Sequence, residues 1–213
     1  MLNPLTPTVG QWGGAQVEPF KIELHPGTQP IFRGQYRYAP KEQQFIQDEV
    51  DKMLQQKVIR VSRSPCSSPI VLAKKEGGKS KRFCNDFRAL NEKTIADKFP
   101  LPNVDDCLNV LAGSQYFSTL DCQSGYWQVP LAEDSKKWTA FQAGNAFYEY
   151  AVLPFGLRNA PAAFQRMINK VLGGLLWIDV IVYLDDIVIG GRTWARHIEL
   201  VDEVFKSLRS VAL

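Results

Sequence analysis

The chain has 213 residues, a net charge of +3, 45% hydrophobic and 22% charged side chains, so it can bury a core and has an ordinary globular composition. No apolar run reaches the ~20 residues that cross a bilayer, and no charged start leads into an apolar core. A membrane protein and a signal peptide are therefore not expected, and an intracellular setting is. Cys66, Cys84, Cys107 and Cys122 show no CxxC spacing, and only His25 and His197 accompany them. That pattern favours reduced thiols over structural zinc. Charge is uneven: residues 57–98 hold eleven Lys or Arg against four acids, while residues 1–56 sum to −1 and residues 99–213 to −3. A basic segment ahead of an acidic one suits an anionic substrate such as a nucleotide or nucleic acid, although a solvated lysine-rich loop has the same composition.

In chain order, residues 1–36 read as an extended arm rich in Pro and Gly, with a strand at Phe20 to Leu24. Pro40 opens a helix whose Ile46, Val50, Met53 and Leu54 share one face. Strands are expected at Val58-Ile59, Ile70 to Leu72 and Arg82 to Phe87, the last two joined by a hairpin with its tip at Gly77-Gly78. Asn103 caps a helix over Val104 to Leu111, and Gly113 ends it. Tyr116 to Leu120 reads as a strand stopping at Asp121, with further strands near Thr139 to Phe141 and Phe147 to Val152. Asn159 caps a second long helix with a stripe of Phe164, Met167, Ile168, Val171 and Leu172. A last helix from about Thr193 carries Trp194, Ile198, Val201, Phe205 and Leu208 on one face.

Between those two helices lies Tyr183-Leu184-Asp185-Asp186, set between apolar runs and closed by Gly190-Gly191. It reads as a hairpin with two acids at its tip. Asp is a common turn former. Two adjacent acids also repel unless a cation, a proton or water separates them. Asp121 lies 64 positions earlier (185 − 121) with a helix between, a spacing that permits all three carboxylates to converge. Both readings, turn and metal site, stay open on these residues alone.

Seven ordered motifs resemble the reverse transcriptase of gypsy-type long-terminal-repeat retrotransposons. They are Ser64-Pro65-Cys66-Ser67-Ser68-Pro69-Ile70-Val71-Leu72, Arg82-Phe83-Cys84-Asn85-Asp86-Phe87-Arg88-Ala89-Leu90-Asn91, Phe99-Pro100-Leu101-Pro102, Phe117-Ser118-Thr119-Leu120-Asp121, Ser124-Gly125-Tyr126-Trp127-Gln128, Leu153-Pro154-Phe155-Gly156-Leu157-Arg158-Asn159-Ala160-Pro161 and Tyr183-Leu184-Asp185-Asp186. The resemblance runs over roughly residues 17–213.

The resemblance implies an α+β, right-hand polymerase: fingers over residues 37–95 and 129–160, palm over 96–128 and 161–213, and a reverse transcriptase domain over about 55–213. The palm would be an antiparallel sheet backed by helices. The resemblance also implies RNA-directed DNA synthesis, in which a primer 3′-hydroxyl attacks a deoxynucleoside triphosphate on an RNA or DNA template. Asp121 and Asp185 would hold two Mg²⁺ ions, or Mn²⁺ in their place, with the Cys122 carbonyl helping and Asp186 a lesser ligand. These three carboxylates are the expected catalytic set.

Lys75, Arg82, Cys122, Gln123, Ser124, Tyr126 and Phe155 are the expected dNTP contacts. Lys75 and Arg82 would clamp the triphosphate, and backbone N–H groups near Gln123 and Ser124 would reach it. Tyr126 would exclude a 2′-hydroxyl, and Phe155 would stack in the dNTP pocket. The bland alternatives are two exposed cations and a core aromatic. Asp86 and Arg88 read as an internal ion pair, with Arg88 facing the template as the alternative.

With 27 residues after Asp186 (213 − 186), the thumb and ribonuclease H are expected outside this chain, as are the protease and integrase of a parent polyprotein. The competing expectation is a catalytically silent remnant that at most binds nucleic acid through its basic fingers. A polymerase copying RNA into RNA is a third reading, against which Tyr126 speaks.

Overall fold

The computed structural model describes residues 15–74, 81–100 and 102–213. Lys75, the Gly77-Gly78 tip, Leu101 and the first part of the arm lie outside them. Over the described residues the chain divides into two compact units. Unit 1 comprises Glu18–Ala96 and Tyr126–Ala160. Unit 2 comprises Ala15–Val17, Asp97–Gly125 and Pro161–Leu213. All strand pairs in both are antiparallel, so the fold is α+β.

Unit 1 opens on helix α1, Pro40–Gln55, where Ala39 N–H donates to Glu42 Oε2 at 3.0 Å. Ile46, Val50 and Met53 are buried, while Leu54 is half-buried. Strand β1 (Ile59–Val61) leads to the hairpin strands β2 (Ile70–Lys74) and β3 (Lys81–Asn85), which pair with Ala73 opposite Arg82. Short helix α2 (Arg88–Lys93) follows. The rest of unit 1 holds α4 in chain order (Glu133–Lys136), β5 (Phe141–Ala143) and β6 (Ala146–Tyr150), forming a sheet of order β1-β6-β5. Its core gathers Val50, Val58, Ile70, Phe87, Leu90, Phe141 and Leu153.

Two expectations change here. Phe20 to Leu24 is not a strand, because Phe20 bridges Leu131 and Leu24 bridges Thr94, two different partners that build no ladder. Thr139 sits in a 3₁₀ turn, Lys137–Thr139, and β5 starts only at Phe141. The Thr139 hydroxyl donates to Lys136 O at 2.7 Å and accepts from Tyr150 N–H at 2.9 Å, a local bond that competes with a strand.

Unit 2 holds α3 (Val104–Val110), β4 (Tyr116–Asp121), α5 (Ala160–Leu172, of which Ala160 belongs to unit 1), β7 (Val180–Tyr183), β8 (Asp186–Gly191) and α6 (Trp194–Ser210). Asn103 Oδ1 accepts from Asp105 N–H, capping α3 as expected. The sheet order is β4-β8-β7. Ser118 Oγ lies 2.8 Å from His197 Nε2, which places the Ser118 and Leu120 face of β4 under α6. Side chains alternate along a strand, so Phe117, Thr119 and Asp121 take the other face, and all three are exposed.

The stripe expected on α6 is displaced. His197, Leu200, Val204 and Leu208 are buried, while Trp194 and Ile198 are exposed and Val201 and Phe205 half-buried. The helix has apolar residues at two overlapping periodicities, and close packing selects one. A Cβ on Gly191 would stand 2.6 Å from His197 Cβ and 2.9 Å from its Cα, so this glycine lets the helix backbone reach β8.

Candidate metal centre

The antiparallel register places Asp121, the last residue of β4, opposite Asp186, the first of β8, and Asp186 also pairs with Tyr183 of β7. The connection between β7 and β8 is therefore Leu184-Asp185. This differs from the expected two-acid tip: Asp186 belongs to the strand. Leu184 has φ +56°, the left-handed region that a two-residue hairpin demands. A leucine adopts it at a cost of ~1–2 kcal/mol.

Three bonds hold the turn in that shape, and a fourth, to Asn169, orients the glutamine that makes two of them. Cys122 N–H donates to Asp185 O at 3.1 Å, extending the β4 pairing past the sheet end. Leu184 N–H donates to Gln165 Oε1 at 3.2 Å. Gln165 Nε2 donates to Val182 O at 3.3 Å and to Asn169 Oδ1 at 2.9 Å.

The result is one sheet end bearing three carboxylates. Among the described residues, no Lys, Arg or His forms an ion pair with Asp121, Asp185 or Asp186. Asp185 Oδ1 is buried and has no hydrogen-bond partner. Burial, then the charges of Asp121 and Asp186, push the Asp185 carboxyl above its ordinary value. Burial and the same carboxylates, Asp185 first, push the Cys122 thiol up to about 11. Burial and the neighbouring carboxylates thus disfavour the thiolate there. The Cys122 carbonyl accepts from Gly125 N–H at 3.0 Å and keeps a second lone pair.

Among the described residues, no three His, Cys, Asp or Glu side chains stand gathered at metal-holding distance. The donor set nonetheless fits a hard divalent cation. It is all oxygen, it is negative, and its partly buried member has an unsatisfied oxygen.

The remaining expected residues divide between the units. Gln123 and Ser124 follow Asp121 in unit 2, Ser124 with φ +48° and Gln123 exposed. A Cβ on Gly125 would meet the Phe164 ring at 3.0 Å, so the turn lies tight on α5.

Arg82, Tyr126 and Phe155 lie in unit 1. Arg82 is exposed on β3, and Lys75 falls outside the described residues. The Tyr126 and Phe155 rings pack at 5.0 Å between centroids, with Trp127 at 6.2 Å from Phe155. The Phe155 segment is anchored by Asn91, whose Nδ2 donates to Gly156 O at 2.8 Å and whose Oδ1 accepts from Arg158 N–H at 2.8 Å. Asp86 and Arg88 do pair, at 2.6 Å on the surface.

Two positioning residues went unread in the sequence. Gln165 is fully buried within the apolar stripe of α5, and a lone amide among Phe164, Ile168 and Leu172 is the signal that marks it. Asn91 lies within a recognised motif, but nothing local shows that its partners stand 65 and 67 positions away.

Comparison with known proteins places these observations. The family described as "Reverse transcriptase (RNA-dependent DNA polymerase)" matches residues 73–213. The retrovirus-related Pol polyprotein from transposon 297 of Drosophila melanogaster is 40% identical over 188 residues, 86% of this chain and 18% of that one. The Pol polyprotein from transposon gypsy of the same fly is 38% identical, over 84% of this chain and 18% of that one. The enzymatic polyprotein of cauliflower mosaic virus (strain NY8153) is 34% identical, over 92% and 28%. The chain thus spans less than a third of the length of these relatives. Among solved structures, the foamy viral protease-reverse transcriptase in complex with RNA/DNA hybrid superposes with a TM-score of 0.84 at 28% identity, covering 94% of this chain and 27% of that chain. The same protein in complex with double-stranded DNA, in a form designated dRH, gives 0.82 at 29% identity, covering 94% and 35%.

Proposed function

The chain belongs to the reverse transcriptase family, and on that premise we propose that it carries the fingers and palm of an RNA-directed DNA polymerase from a gypsy-type retroelement polyprotein. Unit 1 is the fingers and unit 2 the palm. The substrates are a DNA primer on an RNA or DNA template and deoxynucleoside triphosphates. The solved relatives, held with RNA/DNA hybrid and with double-stranded DNA, support the nucleic-acid partners. A thumb, ribonuclease H, protease and integrase belong to the parent polyprotein in this reading. Among the described residues, no helix is long and apolar enough to cross a membrane.

The observation that carries the reading is the sheet end itself: Asp121 opposite Asp186, with Asp185 in the turn between β7 and β8 and one of its oxygens buried without a partner. Asp121 and Asp185 would hold two divalent cations, Mg²⁺ or Mn²⁺, with the Cys122 carbonyl helping and Asp186 the lesser ligand. Bound there, such ions neutralise charge on the attacking and leaving oxygens of a phosphoryl transfer. The protein's own task is then placement. The turn presents the carboxylates at one end of the sheet. Tyr126, packed ring to ring with Phe155, would fill the volume a 2′-hydroxyl needs. Phe155 offers an exposed face for stacking, Arg82 and Lys75 answer the triphosphate charge, and backbone N–H groups at Gln123 and Ser124 add neutral donors.

The test is primer extension on an RNA template with dNTPs and Mg²⁺, using the chain joined to a thumb. Extension that vanishes with Asp185→Asn supports the reading. Extension that survives it overturns the carboxylate assignment. Salt-sensitive RNA and DNA binding without any extension would instead identify a silent binding module.

A further inference from the structure

Gln165 is the one polar side chain of α5 with no exposure at all. It occupies a helix face otherwise given to Phe164, Ile168 and Leu172, each buried. A buried amide must satisfy its donors and acceptor, and this one does so on the turn that carries Asp185. Its Oε1 accepts from Leu184 N–H at 3.2 Å and its Nε2 donates to Val182 O at 3.3 Å. The amide thus brackets Tyr183 from both sides and fixes the Tyr183–Leu184 peptide, one residue ahead of Asp185. Leu184 is also the residue held in the left-handed region, at φ +56°. Without the bond to Oε1, its half-buried N–H loses that partner and the strained turn loses a restraint. Asn169 Oδ1 takes the second Nε2 hydrogen at 2.9 Å and orients the amide so that oxygen faces Leu184.

We propose that Gln165 is a positioning residue for cation binding by Asp185, acting through the Leu184 backbone. The proposal rests on the metal reading above. Groups that orient a ligand from behind typically change metal affinity by ~10–100-fold when removed.

The test uses the whole chain and Mn²⁺ as the probe, with binding read by electron paramagnetic resonance and folding by thermal melting. Gln165→Met keeps the length and apolar fit and removes both bonds. It is expected to fold and to bind Mn²⁺ about tenfold more weakly. Gln165→Glu keeps an oxygen acceptor for Leu184 N–H and is expected to recover most of that loss. Asn169→Ala removes the bond that orients the amide but leaves both turn bonds possible, and is expected to bind Mn²⁺ with an affinity between those of the parent chain and Gln165→Met. A folded Gln165→Met chain with parental Mn²⁺ affinity overturns the proposal. So does a Gln165→Glu chain that binds as weakly as Gln165→Met, because the acceptor on Leu184 would then not be the link. If Gln165→Met does not fold, Gln165→Asn, whose shorter side chain draws the amide back from the turn, takes its place: weaker Mn²⁺ binding supports the proposal, and parental affinity overturns it. Asp185→Asn separates the two levels of the argument. Parental Mn²⁺ binding in that variant removes the metal reading itself, whatever Gln165 does.

Discussion

Two carboxylates, one in each unit, are withdrawn from water under opposite conditions. Glu149 of β6 is buried in unit 1, where Arg60 Nε donates to its Oε1 at 2.9 Å and Ser62 Oγ to its Oε2 at 2.5 Å. Arg60 also pairs with Glu133, which Lys136 holds in turn, so each charge of this cluster has an opposite. Asp185 of unit 2 has no ion pair among the described residues, has a buried oxygen with no partner, and senses two further carboxylates. A carboxylate answered on every side serves the fold. One left unanswered beside others of its sign is a standing cost that a cation or a proton relieves.

The largest expected effect breaks the comparison at its functional end. Asp185→Asn should lower the extension rate on the order of 10³-fold while leaving the melting temperature equal or higher, since it removes like-charge repulsion. Single-turnover extension and calorimetry on the same sample check both halves. A variant that loses stability instead would make Asp185 a fold residue like Glu149.

The mirror experiment is Glu149→Ala. It strips Arg60 and Ser62 of a buried partner and should destabilise the chain by about 2 kcal/mol, less than a wholly buried pair because Arg60 is partly exposed. Denaturant unfolding measures it, and the Mn²⁺ affinity of the folded fraction should not move.

A smaller effect separates the aromatic pair of unit 1 from both carboxylates. Tyr126→Ala should reduce discrimination against ribonucleotides by about 10–100-fold with little change in Mn²⁺ binding. Competing dNTP and rNTP incorporation reads it. Unchanged discrimination would return Tyr126 to a packing role against Phe155.

The smallest effect concerns acid. Arg60 first and Lys136 next hold the Glu133 carboxyl down to about 2 from an ordinary 4.5. A carboxylate depressed by folding stabilises the chain above its unfolded value and loses that contribution as pH falls from 4.5 through about 2. Glu133→Gln should therefore lower the melting temperature slightly at pH 7 to 9, where the contribution is fully present, and flatten part of the acid limb below pH 4.5, where the parent chain loses it. The opposite sign applies to Asp185, whose raised value means ionisation opposes folding.

Much of the fold was legible because its signals are local. Pro40 and the Ile46, Val50, Met53 spacing mark α1, and Asn103 marks the start of α3. The run Tyr116 to Asp121 and the Asp-Asp hairpin announce two strands of one sheet through short apolar stretches and turn residues. What failed was decided elsewhere in the chain. Phe20 and Leu24 look like a strand but find separate partners. The α6 stripe shifted because Gly191 admits His197, and no periodicity within α6 carries that fact.

The same division runs through the site. Residue identity alone determined the chemistry on offer: adjacent oxygen ligands at Asp185 and Asp186, a third at Asp121, and the motifs that mark the family. Side-chain chemistry is a property of the residue and its near neighbours, so it can be read in one dimension. Only tertiary structure decided that Asp121 stands opposite Asp186, that Leu184 rather than Asp186 takes the turn, and that Gln165 reaches from α5 to hold it. Register, strain and buried hydrogen bonds join residues many positions apart, and their energies exist only once the chain has closed those distances.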